Sequence, residues 1–233
     1  MSAITFDFGQ TLAELDTDML AARCKERSLH VTAEALQQHV AAGWRAYGDA
    51  KRRGAEGQTA WCAFMARLLT LAAGSSADDA ARVPEVVQWL WRAQPECNLW
   101  RKPIPGMFEL VEELVGQDLR VGIVSNSEGR LAELVQEMGK HHLFHGIVDS
   151  GVLGIEKPNP AIFEHAARQL GVSVDAITHV GDAWEADVRG ALAAGCRAIY
   201  FSQEPMPEPE PGTANRVVRA FGAEEVRRAL QAP

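Results

Sequence analysis

Cysteine is scarce in this chain of 233 residues, which contains only Cys24, Cys62, Cys97 and Cys196. These cysteines are scattered, with no C-x-x-C pair and no histidine cluster beside them, so neither a zinc site nor a disulfide framework is expected. Long apolar runs are also missing, since none reaches the roughly 18–20 residues that a bilayer span requires. The sequence therefore predicts a core built by packing alone and no membrane partner.

Basic charge is in short supply as well. The 23 lysines and arginines are outnumbered by 31 aspartates and glutamates, which gives a net charge of −8. A nucleic-acid groove would need a basic face, so we expect no nucleic-acid partner. The amino terminus has neither the basic flank nor the apolar stretch of a signal peptide, which favours a cytoplasmic location. The sequence is compatible with a monomer or a homodimer.

Two kinds of pattern divide the chain. Residues 1–14 open with a short apolar strand that stops at Gly9, and the helical period then runs from about residue 15 to residue 94. We expect three or four helices in that segment and no strand. Residues 104–233 alternate between apolar strands and amphipathic helices, with strands near 119–125, 146–148, 177–182 and 197–201.

Near-continuous apolar strands that alternate with helices are typical of a parallel sheet covered on both faces. The sequence thus predicts an α/β fold, a doubly wound Rossmann-like core formed by residues 1–14 and 104–233. Residues 15–103 would form an all-helical domain inserted after the first strand. Ligands of such cores bind outside the carboxyl ends of the strands.

Polar side chains are concentrated at those predicted strand ends. They are Asp7, Thr11, Ser125, Asn126, Lys157, Asp182 and Asp187. Three carboxylates at one edge raise each other's pKa unless a cation intervenes, and oxygen ligands without cysteine or histidine point to Mg²⁺. A metal and a lysine together neutralise a phosphoryl group, and a carboxylate within reach of the phosphorus can act as its nucleophile.

Four ordered motifs resemble those of the haloacid dehalogenase (HAD) superfamily, in particular the members with a helical cap inserted after the first strand. The motifs are Asp7-Phe8-Gly9-Gln10-Thr11, Ser125-Asn126, Lys157-Pro158 and Gly181-Asp182 with Asp187. They extend over nearly the whole chain.

The resemblance implies a role for each of these residues. Asp7 would be the nucleophile and a Mg²⁺ ligand, and Ser125 would donate a hydrogen bond to phosphate. Lys157 would neutralise part of the negative charge of the phosphate. Asp182 and Asp187 would complete the metal site, to which Gly9 would contribute its backbone carbonyl. Thr11, Asn126 and Trp184 (an aromatic residue beside the metal carboxylate) are the predicted substrate contacts.

Gly9 departs from the family pattern. Phosphatases of this family usually carry a second aspartate there, which protonates the leaving oxygen and then activates water; such a group contributes ~10²–10⁴-fold in rate. The four motifs nevertheless predict a Mg²⁺-dependent phosphatase of a small, anionic phosphorylated metabolite. It would recruit another acid and base, such as water positioned by Gln10, Glu14 or a cap residue, or use good leaving groups.

Three alternatives stay open. The chain could be a non-catalytic or weakly active phosphoryl-binding protein. It could also cleave phosphonates, a branch in which a cap lysine forms a Schiff base, and Lys25 and Lys51 are the lysines well inside the insert. A dehalogenase is less favoured, because the family's dehalogenases lack the metal carboxylate that Asp182 supplies.

Overall fold

The structure, a computed structural model, describes residues 2–231. The chain forms two compact units. The α/β unit contains the segment that ends at Leu15 and the segment that begins at Trp100, and the helical unit runs from Asp16 to Leu99. The sequence placed the corresponding boundaries at 14/15 and 103/104. The segment between Leu99 and residue 104 is a strand that belongs to the α/β unit.

The α/β unit contains every strand of the described residues. The strands are β1 (Ala3–Phe6), β2 (Ala13–Leu15), β3 (Trp100–Pro103), β4 (Arg120–Ser125), β5 (Gly146–Asp149), β6 (Ile177–Gly181), β7 (Arg197–Phe201) and β8 (Val217–Ala220). Six of them form one sheet in the order β5-β4-β1-β6-β7-β8, and all neighbouring pairs are parallel. The predicted doubly wound parallel sheet is confirmed, and β1 lies at its centre.

The helical unit contains four helices and no strand among its described residues, as the helical period predicts. They are α1 (Thr17–Lys25), α2 (Ala33–Arg52), α3 (Gly57–Ala72) and α4 (Ala77–Ala93). Thr32 caps α2 by accepting a hydrogen bond from the Ala35 N–H at 3.2 Å, and Ser76 caps α4 in the same way. Helices α2 and α3 approach closely at Gly43, where a Cβ would lie 3.0 Å from the Phe64 ring.

The remaining helices lie in the α/β unit. They are α5 (Met107–Gly116), α6 (Leu131–Glu137), α7 (Ser150–Leu153), α8 (Pro160–Leu170), α9 (Gly190–Ala194) and α10 (Ala223–Gln231), with a π-helical turn at Trp184–Arg189. Helix α6 begins only at Leu131, although the preceding strand β4 ends at Ser125. The cause is Asp149, whose carboxylate accepts hydrogen bonds from the backbone N–H groups of Gly129 and Leu131 at 3.1 and 2.9 Å and so holds the preceding loop.

Apolar side chains alternate between the two faces of the sheet. Ile4 and Phe6 of β1 pack into a core cluster with α5, α6 and α10, whereas Ala3 belongs to a second cluster with α8 and α9. Both faces of the sheet are therefore covered, which leaves the ends of the strands as the place where polar side chains can gather. Within residues 2–231, no helix combines the length and apolar composition needed to cross a membrane.

Strands β2 and β3 form an antiparallel pair that the sequence analysis did not predict. Leu15 pairs with Trp100, and Ala13 pairs with Pro103, with an irregular register between them. Pro103 is compatible with a strand at this position because a two-stranded ribbon consists of edge strands, which tolerate a missing N–H donor.

Candidate active site at the carboxyl edge of the sheet

Three adjacent strands deliver polar residues to one edge of the sheet. Asp7 follows β1, Ser125 ends β4, and Asp182 follows β6. Strands β4 and β6 flank β1 and run parallel to it, so these residues lie at the same, carboxyl edge. Asp7 and Ser125 are buried, whereas Asp182 is half-buried. The structure thus brings together residues that are far apart in the sequence.

Lys157 is the cation at this edge. Its Nζ lies 2.6 Å from Asp7 Oδ1, 2.6 Å from Asp187 Oδ1 and 2.7 Å from the carbonyl oxygen of Val124. An ammonium group has three donors, and all three find acceptors here. The side chain is only 2% exposed, so water contributes little to its solvation. Lys157 therefore links the nucleophile candidate on β1 to the acidic residue that follows β6.

Asn126 fixes the backbone of the Lys157 loop. Its Oδ1 accepts a hydrogen bond from the Lys157 N–H at 2.8 Å, and its Nδ2 donates to the Lys157 carbonyl at 3.0 Å. This two-point contact ties the loop before α8 to the end of β4. Both polar atoms of the Asn126 amide are thereby engaged within the protein, and the substrate contact predicted for this residue stays a prediction.

The approach of Asp187 depends on Gly181. Asp187 lies in the π-helical turn, and its Oδ2 accepts a hydrogen bond from the Ala183 N–H at 2.8 Å. A Cβ at position 181 would lie 2.5 Å from that same Oδ2, which no side chain could tolerate. Glycine at the end of β6 thus allows the Asp187 carboxylate to reach the cluster, and π-helical turns are often found at functional sites.

His179 is a member of the site that the sequence analysis missed. Its Nε2 lies 3.4 Å from Asp187 Oδ1, and its Nδ1 lies 2.9 Å from Thr5 Oγ1. Thr5 and His179 are register partners on β1 and β6, and both are buried. A histidine inside an otherwise apolar buried strand was the available signal, because a buried ring nitrogen needs a partner.

Burial and charge set the protonation of these groups. Burial raises the pKa of Asp7, and Lys157 opposes that change without cancelling it. The pKa of Asp182 is raised well above its ordinary value by burial and by the neighbouring Asp187 and Asp7 charges. For Asp187, burial is outweighed by Lys157 and His179, which together hold its pKa below the usual range.

The same surroundings raise the pKa of Lys157 and lower the pKa of His179. Burial alone would lower the pKa of Lys157, but the Asp187 and Asp7 carboxylates outweigh it and raise that pKa, so the ammonium stays charged. Burial lowers the pKa of His179, and the Lys157 charge adds to this effect. The geometry fits a neutral imidazole that accepts from the Thr5 hydroxyl at Nδ1 and donates from Nε2 to Asp187.

The donor set of the cluster fits a divalent cation. Oxygen atoms of Asp7, Asp182 and Asp187 all lie within 4.8 Å of one another. Lys157 supplies one positive charge against these carboxylates. Hard oxygen ligands with an uncompensated negative charge are what Mg²⁺ takes in proteins. These three residues, which the sequence predicted as metal ligands together with the Gly9 carbonyl, are therefore able to hold Mg²⁺.

The turn after Asp7 contains two buried polar atoms without a hydrogen-bond partner among the described residues. They are Gln10 Nε2 and Thr11 Oγ1. The Gln10 backbone has φ +61°, a left-handed conformation that L-residues rarely adopt and that is common at functional sites. Both residues lie three to four positions after the predicted nucleophile Asp7, and their side chains could donate hydrogen bonds to a ligand.

Trp184, the predicted aromatic substrate contact, lies at the start of the π-helical turn. Its ring packs edge-on against Tyr200 of β7, with the ring centroids 5.4 Å apart. It also lines a surface cleft of about 270 Å³ together with Glu185, Arg189 and Glu210. Trp184 is half-buried, and part of its apolar surface is taken up by the core. Its contact with substrate stays a prediction.

Comparison with known proteins adds evidence that is independent of this geometry. A family model described as haloacid dehalogenase-like hydrolase matches residues 1–195. A glyceraldehyde 3-phosphate phosphatase from Methanopyrus kandleri is 35% identical over 111 residues, which are 47% of this chain and 48% of that enzyme. The match therefore spans about half the length of this relative.

Two further matches extend over more of the chain. A phosphoserine phosphatase from Thermus thermophilus is 28% identical over 197 residues, or 83% of this chain and 76% of that enzyme. The HAD-hydrolase YfnB from Bacillus subtilis, solved bound to magnesium, has a TM-score of 0.68 at 20% identity and covers 99% of both chains, which shows a shared fold. With a family model that matches most of the sequence, this chain belongs to the haloacid dehalogenase-like hydrolases.

Proposed function

We propose that the protein is a Mg²⁺-dependent phosphatase of small phosphorylated metabolites that works through an aspartyl-phosphate at Asp7. The observation that carries the proposal is the cluster of Asp7, Asp182 and Asp187 beside the buried Lys157. Oxygen atoms of the three carboxylates lie within 4.8 Å of one another, and Lys157 Nζ contacts two of them at 2.6 Å. This arrangement combines a carboxylate nucleophile with the positive charge of Lys157, which stabilises the negative charge of a phosphoryl group.

In the first step, a carboxylate oxygen of Asp7 attacks phosphorus, and the bond from phosphorus to the leaving oxygen breaks. The bond pair stays with the leaving group. The positively charged Lys157 stabilises the negative charge on the phosphoryl oxygens, and the Ser125 and Thr11 hydroxyls donate hydrogen bonds to them. Water then attacks phosphorus, the bond from phosphorus to the Asp7 oxygen breaks with its electron pair returning to the carboxylate, and a proton of the water passes to solvent. When bound to the three carboxylates, Mg²⁺ would neutralise phosphoryl charge.

The class of substrate is inferred from the relatives. The chain is similar to a glyceraldehyde 3-phosphate phosphatase over part of its length and to a phosphoserine phosphatase over most of it. Both names describe enzymes that act on small phosphate monoesters. We therefore assign the substrate to small phosphorylated metabolites.

The test measures phosphate release from phosphate esters, acyl phosphates and phosphonates with Mg²⁺ and with EDTA. We expect Mg²⁺-dependent release by the wild type and none by Asp7→Asn. Asp175→Asn is the matched control, because Asp175 is exposed in the short helical turn just before β6, at the opposite edge of the sheet. Acid quenching during turnover should trap one phosphoryl group on the peptide that contains Asp7.

Three results would contradict the proposal in different ways. Turnover that survives Asp7→Asn would exclude the aspartyl-phosphate. Tight binding of inorganic phosphate in calorimetry, without turnover of any compound, would favour a protein that binds phosphoryl groups and does no chemistry. Cleavage restricted to phosphonates would require a lysine that forms a Schiff base; Lys25 and Lys51 are both exposed near the ends of their helices.

A further inference from the structure

The α/β unit contains a cleft of about 270 Å³, called the Trp184 cleft here, on the outer side of the π-helical turn. The turn, helix α9 and residues 208–213 border it, with lining side chains that include Trp184, Glu185, Arg189, Leu192, Glu208 and Glu210. The three carboxylates of the candidate active site are not among the described residues that line it. Its volume is just below the ~300–1,000 Å³ of typical small-molecule pockets, so a ligand of few atoms would fill it.

One wall of the cleft belongs to a segment in which proline repeats. In residues 204–211 every second residue is a proline. Proline fixes its own φ and disfavours the helical region for the residue before it, so this segment is confined to extended conformations. Residues two apart share a face of an extended chain. Met206 accordingly packs against the core, and Glu208 and Glu210 line the cleft. The two carboxylates therefore lose little conformational freedom when a ligand binds.

The charges of the cleft do not balance. Arg189 Nη1 lies 2.6 Å from Glu185 Oε2, and its Nε donates to Glu210 Oε1 at 3.1 Å, so this guanidinium connects the π-helical turn to the proline-rich segment. Glu208 has no hydrogen-bond or ion-pair partner among the described residues. Three glutamates face one arginine, which leaves two negative charges uncompensated in the cleft.

The opposite wall of the cleft is aromatic and apolar. Trp184 is half-buried, with its ring held edge-on against Tyr200 at a centroid distance of 5.4 Å. Tryptophan is the side chain whose ring attracts cations most strongly. Leu192, which is buried, adds apolar surface beside it. The cleft thus offers a cation-binding ring and an aliphatic surface opposite a row of carboxylates.

We propose that the Trp184 cleft binds a small organic dication, a diamine or a guanidino amine with a short aliphatic chain. Two positive charges match the two uncompensated negative ones, and the methylene groups match the surface of Trp184 and Leu192. An anion would meet three carboxylates and an arginine that is already paired. Mg²⁺ prefers to be surrounded by oxygen atoms and would leave the aromatic wall unused. The inference is independent of the proposed phosphatase activity.

The test is calorimetry of the whole chain with agmatine and with putrescine at saturating Mg²⁺, which occupies the carboxylates of the candidate active site. The comparison compound is 4-guanidinobutanoate, in which a carboxylate replaces the ammonium group of agmatine. We expect agmatine to bind ~10-fold or more tightly than this compound, because like charges in contact are strongly unfavourable. Added salt should weaken agmatine binding by screening the charges. Equal affinities for the two compounds, or binding of neither dication, would refute the proposal.

Substitutions locate the bound dication. Glu208→Gln should weaken agmatine binding about fivefold, the upper end for an exposed ion pair. Glu204→Gln is the matched control, because Glu204 is exposed in the same segment, also precedes a proline and does not line the cleft. Trp184→Leu should weaken binding about two- to fivefold by removing the aromatic ring. Equal affinities of Glu208→Gln and Glu204→Gln would refute the assignment.

A last measurement separates this cleft from the candidate active site. Asp7→Asn should bind agmatine as tightly as the wild type, and Glu208→Gln should release phosphate from substrate at the wild-type rate. Loss of agmatine binding in Asp7→Asn, or its displacement by added Mg²⁺, would place the dication among the active-site carboxylates and overturn the proposal. Absence of phosphatase activity would refute the proposed function and leave this inference untouched.

Discussion

Replacing Lys157 with methionine tests whether one buried cation holds the candidate site together. The substitution keeps a similar length and removes the charge from a group that contacts Asp7 and Asp187 at 2.6 Å. The lysine and Asp187 side chains are each 2% exposed, and that of Asp7 is 11% exposed. Removing one partner of such a buried ion pair costs about 3–5 kcal/mol, because the remaining charges are left uncompensated. That is a large part of the ~5–15 kcal/mol that stabilises a typical protein.

The assay is urea unfolding in EDTA, followed by circular dichroism. Lys140→Met provides the matched control, since Lys140 forms an exposed ion pair with Glu112 at 3.2 Å. Exposed pairs of this kind contribute about 0–1 kcal/mol. We expect Lys157→Met to lower the free energy of unfolding by several times more than Lys140→Met. Saturating Mg²⁺ should return part of the loss, because the metal supplies charge to the same carboxylates.

The difference in free energy of unfolding between the wild type and Lys157→Met depends on pH because of Asp187. Its pKa in the folded protein is held below the ordinary 3.8 by Lys157 and His179 against the effect of burial. A carboxylate with a depressed folded-state pKa contributes stability above its unfolded pKa and loses it as the pH falls. The gap between wild type and Lys157→Met should therefore narrow below about pH 4. Equal stability of the two Lys→Met variants at neutral pH in EDTA would refute the reasoning.

Three further predictions concern neighbouring positions. Burial raises the pKa of Glu128 from 4.5 to about 7, so the folded state loses stability as the pH rises through that range. Glu128→Gln should therefore raise the free energy of unfolding at pH 8 by up to about 3 kcal/mol in urea. The control Glu133→Gln, at an exposed position, should leave it unchanged. Gly181→Ala places a Cβ 2.5 Å from Asp187 Oδ2, and calorimetry should show Mg²⁺ binding weakened or lost. His179→Leu should weaken Mg²⁺ binding ~10–100-fold, with partial recovery in His179→Gln, because an amide can replace the hydrogen bond to Asp187; equal affinities in the two variants would exclude that role.

The strands could be predicted because their sequences are unambiguous. Residues 120–125 and 177–181 are short apolar runs that end in Ser125 and next to Asp182, and a parallel sheet brings such ends to one edge. The same reasoning placed Asp7 beside them. Element type and the order of strand ends are local properties of the sequence, so one sequence was enough to predict them.

Contacts that depend on packing could not be predicted in this way. The β2–β3 pair joins two segments of only three and four residues that are separated by the whole helical unit, and so short a segment gives little sign of a strand. The contact between the Asn126 amide and the backbone of Lys157 was not predicted, because it requires the loop before α8 to fold back onto the end of β4. The role of His179 depends on its register with Thr5 across β1 and β6. Such pairings are set by tertiary structure alone.

Position 9 shows how these two kinds of information combine. A glycine in place of an expected acidic residue can reflect a demand of the backbone, a limit on space or the loss of a function. Gly9 does not lie in the left-handed region, so its backbone does not demand glycine, and a Cβ at this position would make an ordinary van der Waals contact with the Trp100 ring at 3.5 Å. Neither the backbone nor the nearest side chain therefore requires glycine at this position, so its presence is to be explained by the chemistry of the site.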